Sequence, residues 1–173
     1  MSGGPPARRS ASRLRRGSTA LPSRAPDAAE LRLFEEAGRV ALNAHAPYSG
    51  YGVGAALVAE SGRVHLGVNV ENAAYPAGLC AERAALAAMV TAGERALRTV
   101  AVAAAFGADC LPCGLCLQAL AEFGDPDVVA RAGGALRVLR LSDLLTAPFA
   151  AGGAAWGATA PRPPAGHPNE EQS

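Results

Sequence analysis

Residues 80–106, CAERAALAAMVTAGERALRTVAVAAAF, divide at Gly93 into two elements of different period. The first part is rich in Ala and Leu and has no internal Gly or Pro, so Cys80 to Gly93 reads as a buried helix whose first turn carries Cys80 and Glu82. Thr99 to Phe106 follows as a strand of small and β-branched apolar residues.

Outward from this helix and strand, the flanking segments supply a layered fold. Upstream, Val53 to Ala59 and Arg63 to Val70 are strand-like and are joined by Glu60-Ser61-Gly62, a short Gly-containing turn. Before them, Asp27 follows Pro26 and precedes an apolar stripe of Leu31, Phe34, Ala37, Val40 and Ala41, which predicts a capped helix ending near His45 to Pro47. Downstream, Pro112 introduces a helix over Cys113 to Phe123. Strands at Asp127 to Arg131 and Leu136 to Leu141 then flank Gly133-Gly134, with a short helix around Ser142 to Leu145. This order implies an α/β fold, a mixed five-stranded sheet covered by helices.

The expected boundaries are a disordered arginine-rich tail over 1–26, a catalytic domain over 27–150 and a flexible Gly/Ala/Pro-rich tail over 151–173, in which Trp156 could still dock. All 16 positively charged side chains are arginine, which excludes Schiff-base and phosphate-loop chemistries that need lysine. Six of those arginines lie in the acid-free first 26 residues, leaving ten against 15 acids elsewhere. A mildly acidic body does not suit a nucleic-acid backbone. The apolar runs are too short to span a bilayer, so no membrane association is expected. The Arg- and Ser-rich start shares the composition of an organelle transit peptide, although a solvated tail is the plainer reading.

The chemistry concentrates in Cys80-Ala81-Glu82 and Pro112-Cys113-Gly114-Leu115-Cys116. Three thiolates, Cys80, Cys113 and Cys116, fill three corners of a zinc tetrahedron and leave the fourth for water, the pattern of a catalytic site. Both clusters begin helices, whose positive ends favour thiolates, and Arg83 can offset the surplus negative charge. Glu82, two residues after the first ligand, is placed to move protons between water and a substrate nitrogen. Cys110 could join the three as a closed structural site, but it reads better as a small buried residue at a strand end. His45, His65 and His167 lack ligand spacing. Clustered cysteines without a disulfide framework point to a reducing cytoplasm.

With these motifs the chain resembles the cytidine deaminase family, specifically its small, three-cysteine, homotetrameric type, over about Leu31 to Phe149. Pro47-Tyr48-Ser49-Gly50-Tyr51-Gly52-Val53 looks like that family's opening segment, and Asn69-Val70-Glu71-Asn72-Ala73-Ala74-Tyr75-Pro76 like its nucleoside-binding stretch. The resemblance implies a three-layer α/β/α fold, one zinc ion per subunit, and hydrolytic deamination of cytidine and deoxycytidine in cytoplasmic pyrimidine salvage. By the same resemblance Asn69 and Glu71 hold ribose hydroxyls, while the Ala81 backbone and Glu82 read the pyrimidine edge. Tyr51 lines the pocket, and Ala73, Tyr75 and Phe149 contribute to sites shared between subunits of the tetramer. Leu117 stands where the family usually has arginine and Leu111 where it has serine. The competing expectations are a deaminase of an antibiotic nucleoside such as blasticidin S, and a non-enzymatic zinc-stabilised module.

Overall fold

Asp27 opens the first helix through a capping box. Its carboxylate accepts from the Ala29 and Glu30 N–H groups, and the Glu30 side chain accepts from the Asp27 N–H. In the computed structural model, which describes residues 21–149, this helix is α1, Ala28–Val40, extended by a single tight turn over Ala41–Asn43. The strands are β1 (Val53–Ala59), β2 (Val64–Val68), β3 (Leu97–Ala104), β4 (Asp127–Ala132) and β5 (Ala135–Arg140). The remaining helices are α2 (Ala81–Thr91), α3 (Gly114–Ala121) and α4 (Leu141–Leu144).

The five strands form one sheet in the order β2-β1-β3-β4-β5. β1 is antiparallel to both β2 and β3, β3 and β4 run parallel, and β5 returns antiparallel to β4. The β3–β4 pair is the one that needs a crossover, and α3 supplies it. The expected mixed five-stranded sheet is the observed one. β3 begins and ends two residues earlier than its apolar run suggested. Phe106 has φ +68° and is 94 % exposed, so the strand breaks before it despite its apolar character.

Because side chains alternate across a strand, each face of the sheet builds its own core. On one face Leu33 and Ala37 of α1 pack against Ala56, Ala101, Ala103, Val129 and Val138. On the other, α2 and α3 bring Ala81, Ala85, Met89, Leu117 and Leu120 against Ala55, Leu57, Val100, Val102, Val128 and Leu141. The result is the three-layer arrangement. Two glycines set how closely the layers meet. A Cβ on Gly54 would stand 2.7 Å from the Ala41 nitrogen beneath α1, and one on Gly67 would stand 2.5 Å from the Ala81 carbonyl oxygen beneath α2. Both helices therefore lie directly on strand backbone.

The inner part of the expected N-terminal tail behaves differently from its composition. Arg24 forms a β-bridge with Val138 on the β5 edge, and its guanidinium pairs with Glu30 at 2.6 Å and Asp127 at 2.9 Å. The tail boundary at residue 26 is thus corrected inward, because a long-range ion pair fastens the segment to the sheet. The calls on residues 1–20 and 151–173, including docking of Trp156, lie outside the described residues, as does His167. No helix among the described residues is long and apolar enough to cross a membrane.

Candidate active site and metal centre

Cys80 and Cys113 occupy equivalent places, each the N-cap of its helix with extended backbone. Neither side chain is locked in a cap hydrogen bond of standard geometry, although the Leu115 and Cys116 N–H groups lie close to the Cys113 sulfur. Cys116 lies one turn into α3 and is buried. The three Sγ atoms all fall within 4.8 Å of one another. A tetrahedral zinc with Zn–S bonds of about 2.3 Å needs sulfurs roughly 3.8 Å apart, so the donor set fits that ion. Cys110 is outside the trio. It is half-buried and bridges to Arg131, which removes the four-cysteine arrangement.

The electrostatics of the trio suit a dication. Burial pushes the Cys116 and Cys80 thiols upward, and neighbouring Glu82 adds to this at both. At Cys113 burial is outweighed by donors from the Cys116 and Leu115 backbone, and the thiol falls below its ordinary value. Around Arg83 burial opposes the charge, while the Cys80 and Cys116 sulfurs hold the guanidinium protonated. One of its nitrogens donates to the Gly78 carbonyl at 3.2 Å, and its Nε is buried without a partner. Arg83 therefore sits where the charge of the thiolates is greatest.

Glu82 is 4 % exposed, and burial pushes its carboxyl above the usual carboxylate range, against smaller opposing effects of its own N–H, Cys116 and Arg83. A buried carboxyl beside metal-binding sulfurs is placed to accept a proton and to release it.

A cavity of about 540 Å³ opens beside Cys80 and is walled by Tyr48, Ser49, Asn69, Glu71, Asn72 and Tyr75 among others. Asn69 and Glu71 thus share a wall with the first metal-site cysteine. Asn69 is held rigidly: its Oδ1 accepts from the Val53 N–H at 2.7 Å and its Nδ2 donates to the Tyr51 carbonyl at 3.0 Å. One N–H and one lone pair remain for a ligand. The Glu71 carboxylate accepts from the Ser49 hydroxyl at 2.5 Å and from the Tyr48 and Ser49 N–H groups, and these donors hold it below the usual carboxylate range. Ser49 and Tyr48 are wall residues to which the sequence reading gave no role. The signal was the turn-forming Pro47-Tyr48-Ser49-Gly50, whose N–H groups have to point somewhere.

Of the other expected residues Tyr75 is on the wall of this cavity, whereas Tyr51, Ala73, Ala81 and Phe149 are not. Tyr51 directs its hydroxyl to the Asp109 carbonyl at 2.9 Å, and burial beside Cys110 pushes its phenol up to about 12. Ala81 is fully buried at the start of α2. Ala73 is exposed on the 69–76 segment. Phe149 is 78 % exposed and pinned to α3 by Gln118, whose amide donates to its carbonyl and accepts from its N–H, both at 2.8 Å. Tyr75, although on the wall, is 83 % exposed at the rim. Leu117 is 7 % exposed and packs in the core under α2, so at this position the chain spends a side chain on packing.

Comparison with known proteins agrees with this geometry. Residues 28–132 match the model of the cytidine and deoxycytidylate deaminase zinc-binding region. A cytidine deaminase of Mycobacterium tuberculosis is 38 % identical over 124 residues, covering 72 % of this chain and 92 % of the relative. That of Halalkalibacterium halodurans is 38 % identical over 122 residues, covering 69 % and 92 %. Among solved structures, the cytidine deaminase of Burkholderia pseudomallei superposes with a TM-score of 0.63 at 40 % identity, over 69 % of this chain and 98 % of that one. The M. tuberculosis enzyme gives 0.65 at 36 % identity, over 72 % and 99 %. With three sulfurs gathered at two helix starts on this sheet, the chain belongs to the cytidine and deoxycytidylate deaminase family.

Proposed function

We propose that the protein is a zinc-dependent hydrolase that converts cytidine and deoxycytidine to uridine and deoxyuridine with release of ammonia. The observation that carries this reading is the common wall of Cys80, Asn69 and Glu71, which sets a nucleoside-sized cavity against a three-thiol metal centre. Cys80, Cys113 and Cys116 would hold the ion, and zinc when bound supplies a Lewis acid that makes water nucleophilic near neutral pH.

The chain's own residues do the rest. Glu82 takes a proton from the attacking water and passes it to N3, then assists proton transfer to the departing amine; the C4–O bond forms, the C4–N bond breaks, and water plus cytidine become uridine plus ammonia. Asn69 offers its free N–H and the ionised Glu71 its carboxylate to the ribose hydroxyls, a complementary pair for a diol. The Ala81 backbone and Tyr51 complete the base side of the pocket. Arg83 offsets the negative charge of the thiolates.

A homotetramer with shared sites is part of the reading. It is supported by Tyr75, Phe106 and Phe149, large apolar side chains 83 %, 94 % and 78 % exposed, which a second copy would cover. Cytoplasmic pyrimidine salvage is the corresponding role. Purified protein is to be analysed for zinc, its mass in solution measured by light scattering, and its turnover followed with cytidine, deoxycytidine and blasticidin S. Zinc at one per chain with uridine formation is expected. Bound zinc with no uridine overturns the activity.

A further inference from the structure

Tyr51 stands just before β1, yet its hydroxyl donates to the backbone carbonyl of Asp109, 58 residues away, at 2.9 Å. Asp109 belongs to the loop that leads through Leu111 and Pro112 to Cys113. Two further attachments hold the same loop from its other side. The Asp109 carboxylate accepts the Gly134 N–H at 3.0 and 3.2 Å, and the Cys110 N–H donates to the Arg131 carbonyl at 3.0 Å.

The β4–β5 connection is a two-residue turn in which Gly133 and Gly134 have φ of +61° and +78°. This is the primed hairpin turn, and it presents the Gly134 N–H outward to the Asp109 carboxylate. The outer part of the loop is exposed at Ala108, Asp109 and Leu111, while Cys110 packs half-buried against the core and Pro112 is buried. Its exposed outer part is held by hydrogen bonds to Tyr51 before β1 on one side and to the β4–β5 turn on the other, which add to the packing of Cys110 and Pro112. Four residues after Asp109, Cys113 must come within 4.8 Å of Cys80 and Cys116.

We propose that the Tyr51 hydroxyl and the Asp109 carboxylate are positioning groups for the metal centre, which fix where Cys113 stands and so how long the ion is retained. The proposal rests on the reading of the three cysteines as the metal site. Neither group touches the ion. Both act through the loop, as partners behind metal ligands commonly do.

The test compares zinc-loaded wild-type protein with Tyr51→Phe, Asp109→Ala and Asp109→Asn. Metal content is measured after purification, the rate of zinc transfer to an excess of a coloured chelator is followed, and the melting temperature of each metal-free protein is recorded. Tyr51→Phe and Asp109→Ala should release zinc about three- to tenfold faster than wild type. Asp109→Asn keeps a side-chain carbonyl acceptor and should return to within about twofold. Metal-free melting temperatures should stay within about 2 °C of wild type, because the Asp109 side chain is exposed and that of Tyr51 is partly so. Release within about twofold of wild type for both Tyr51→Phe and Asp109→Ala overturns the proposal, as does a parallel fall in metal-free stability. Wild type without zinc would instead overturn the metal reading itself, so the two failures are told apart.

Discussion

Gly67→Ala tests whether the contact between α2 and β2 controls the site. The added Cβ would lie 2.5 Å from the Ala81 carbonyl oxygen and nearer still to the Ala85 nitrogen, where ordinary contact begins at 3.4 Å. Its neighbours are helix backbone, which cannot swing aside as a flexible side chain would. α2 must therefore retreat by about 0.9 Å to clear the Ala81 oxygen, the difference between those two distances, and somewhat further to clear the Ala85 nitrogen. That helix begins at the Cys80 cap and carries Glu82 in its first turn. Overpacking of this kind costs about 1–3 kcal/mol, which at roughly 4 °C per kcal/mol lowers the melting temperature by about 4–12 °C. Displacing catalytic groups by about 1 Å costs on the order of 100-fold in rate.

Gly54→Ala is the matched comparison. It crowds α1 in the same way, with its Cβ 2.7 Å from the Ala41 nitrogen, but α1 carries none of the assigned site residues. Thermal unfolding and steady-state deamination of both variants decide the matter. Gly54→Ala should lose comparable stability and much less kcat/KM. The reasoning fails if Gly67→Ala melts within about 2 °C of wild type and retains turnover within about threefold. It fails equally if the two variants lose the same activity.

Glu82→Gln should lower kcat by about 100- to 10,000-fold while zinc content and melting temperature hold, as checked by metal analysis and calorimetry. The Glu30 carboxyl is held below its ordinary value by the Arg24 side chain, with burial opposing and the Asp27 N–H assisting. A depressed carboxylate contributes stability that is present above its unfolded pKa and disappears as pH falls through the lower folded value. Arg24→Met should therefore destabilise the protein at neutral pH and flatten its loss of stability toward acid, as read from melting temperature against pH. Arg24 is about half exposed, which keeps the effect modest.

Much of this architecture was legible because it is written in short-range patterns. The Asp27 cap, the Gly62 turn and the Ala-rich run after Cys80 each specify their own element, and the observed bounds of α2, β1 and α3 follow them closely. The metal trio was legible for the same reason, since residue type and spacing alone carry it. What was not legible depends on distant partners. Arg24 looked like part of a tail because Asp127, which anchors it, is 103 residues away. The end of β3 was misjudged because Phe106 is apolar, while its left-handed backbone belongs to the turn. Asn69 reads as a free polar residue, yet two backbone groups of the 51–53 segment already occupy most of its amide. The hold of Ser49 on Glu71 likewise exists only once the 45–49 turn lies beside residue 71.

The two cysteine-bearing helix starts are separated by 33 residues of chain that include all of β3, the strand between β1 and β4. An ion held by Cys80, Cys113 and Cys116 would therefore close a long loop as well as support chemistry. By the chain-entropy estimate used for crosslinks, a loop of that length restricts the unfolded ensemble by about 3–4 kcal/mol. Zinc loss would untie α2 from α3 at the point where they converge. The same ion would thus be a clasp on the tertiary structure, and exhaustion of cellular zinc would register as a shorter protein lifetime as well as lost turnover.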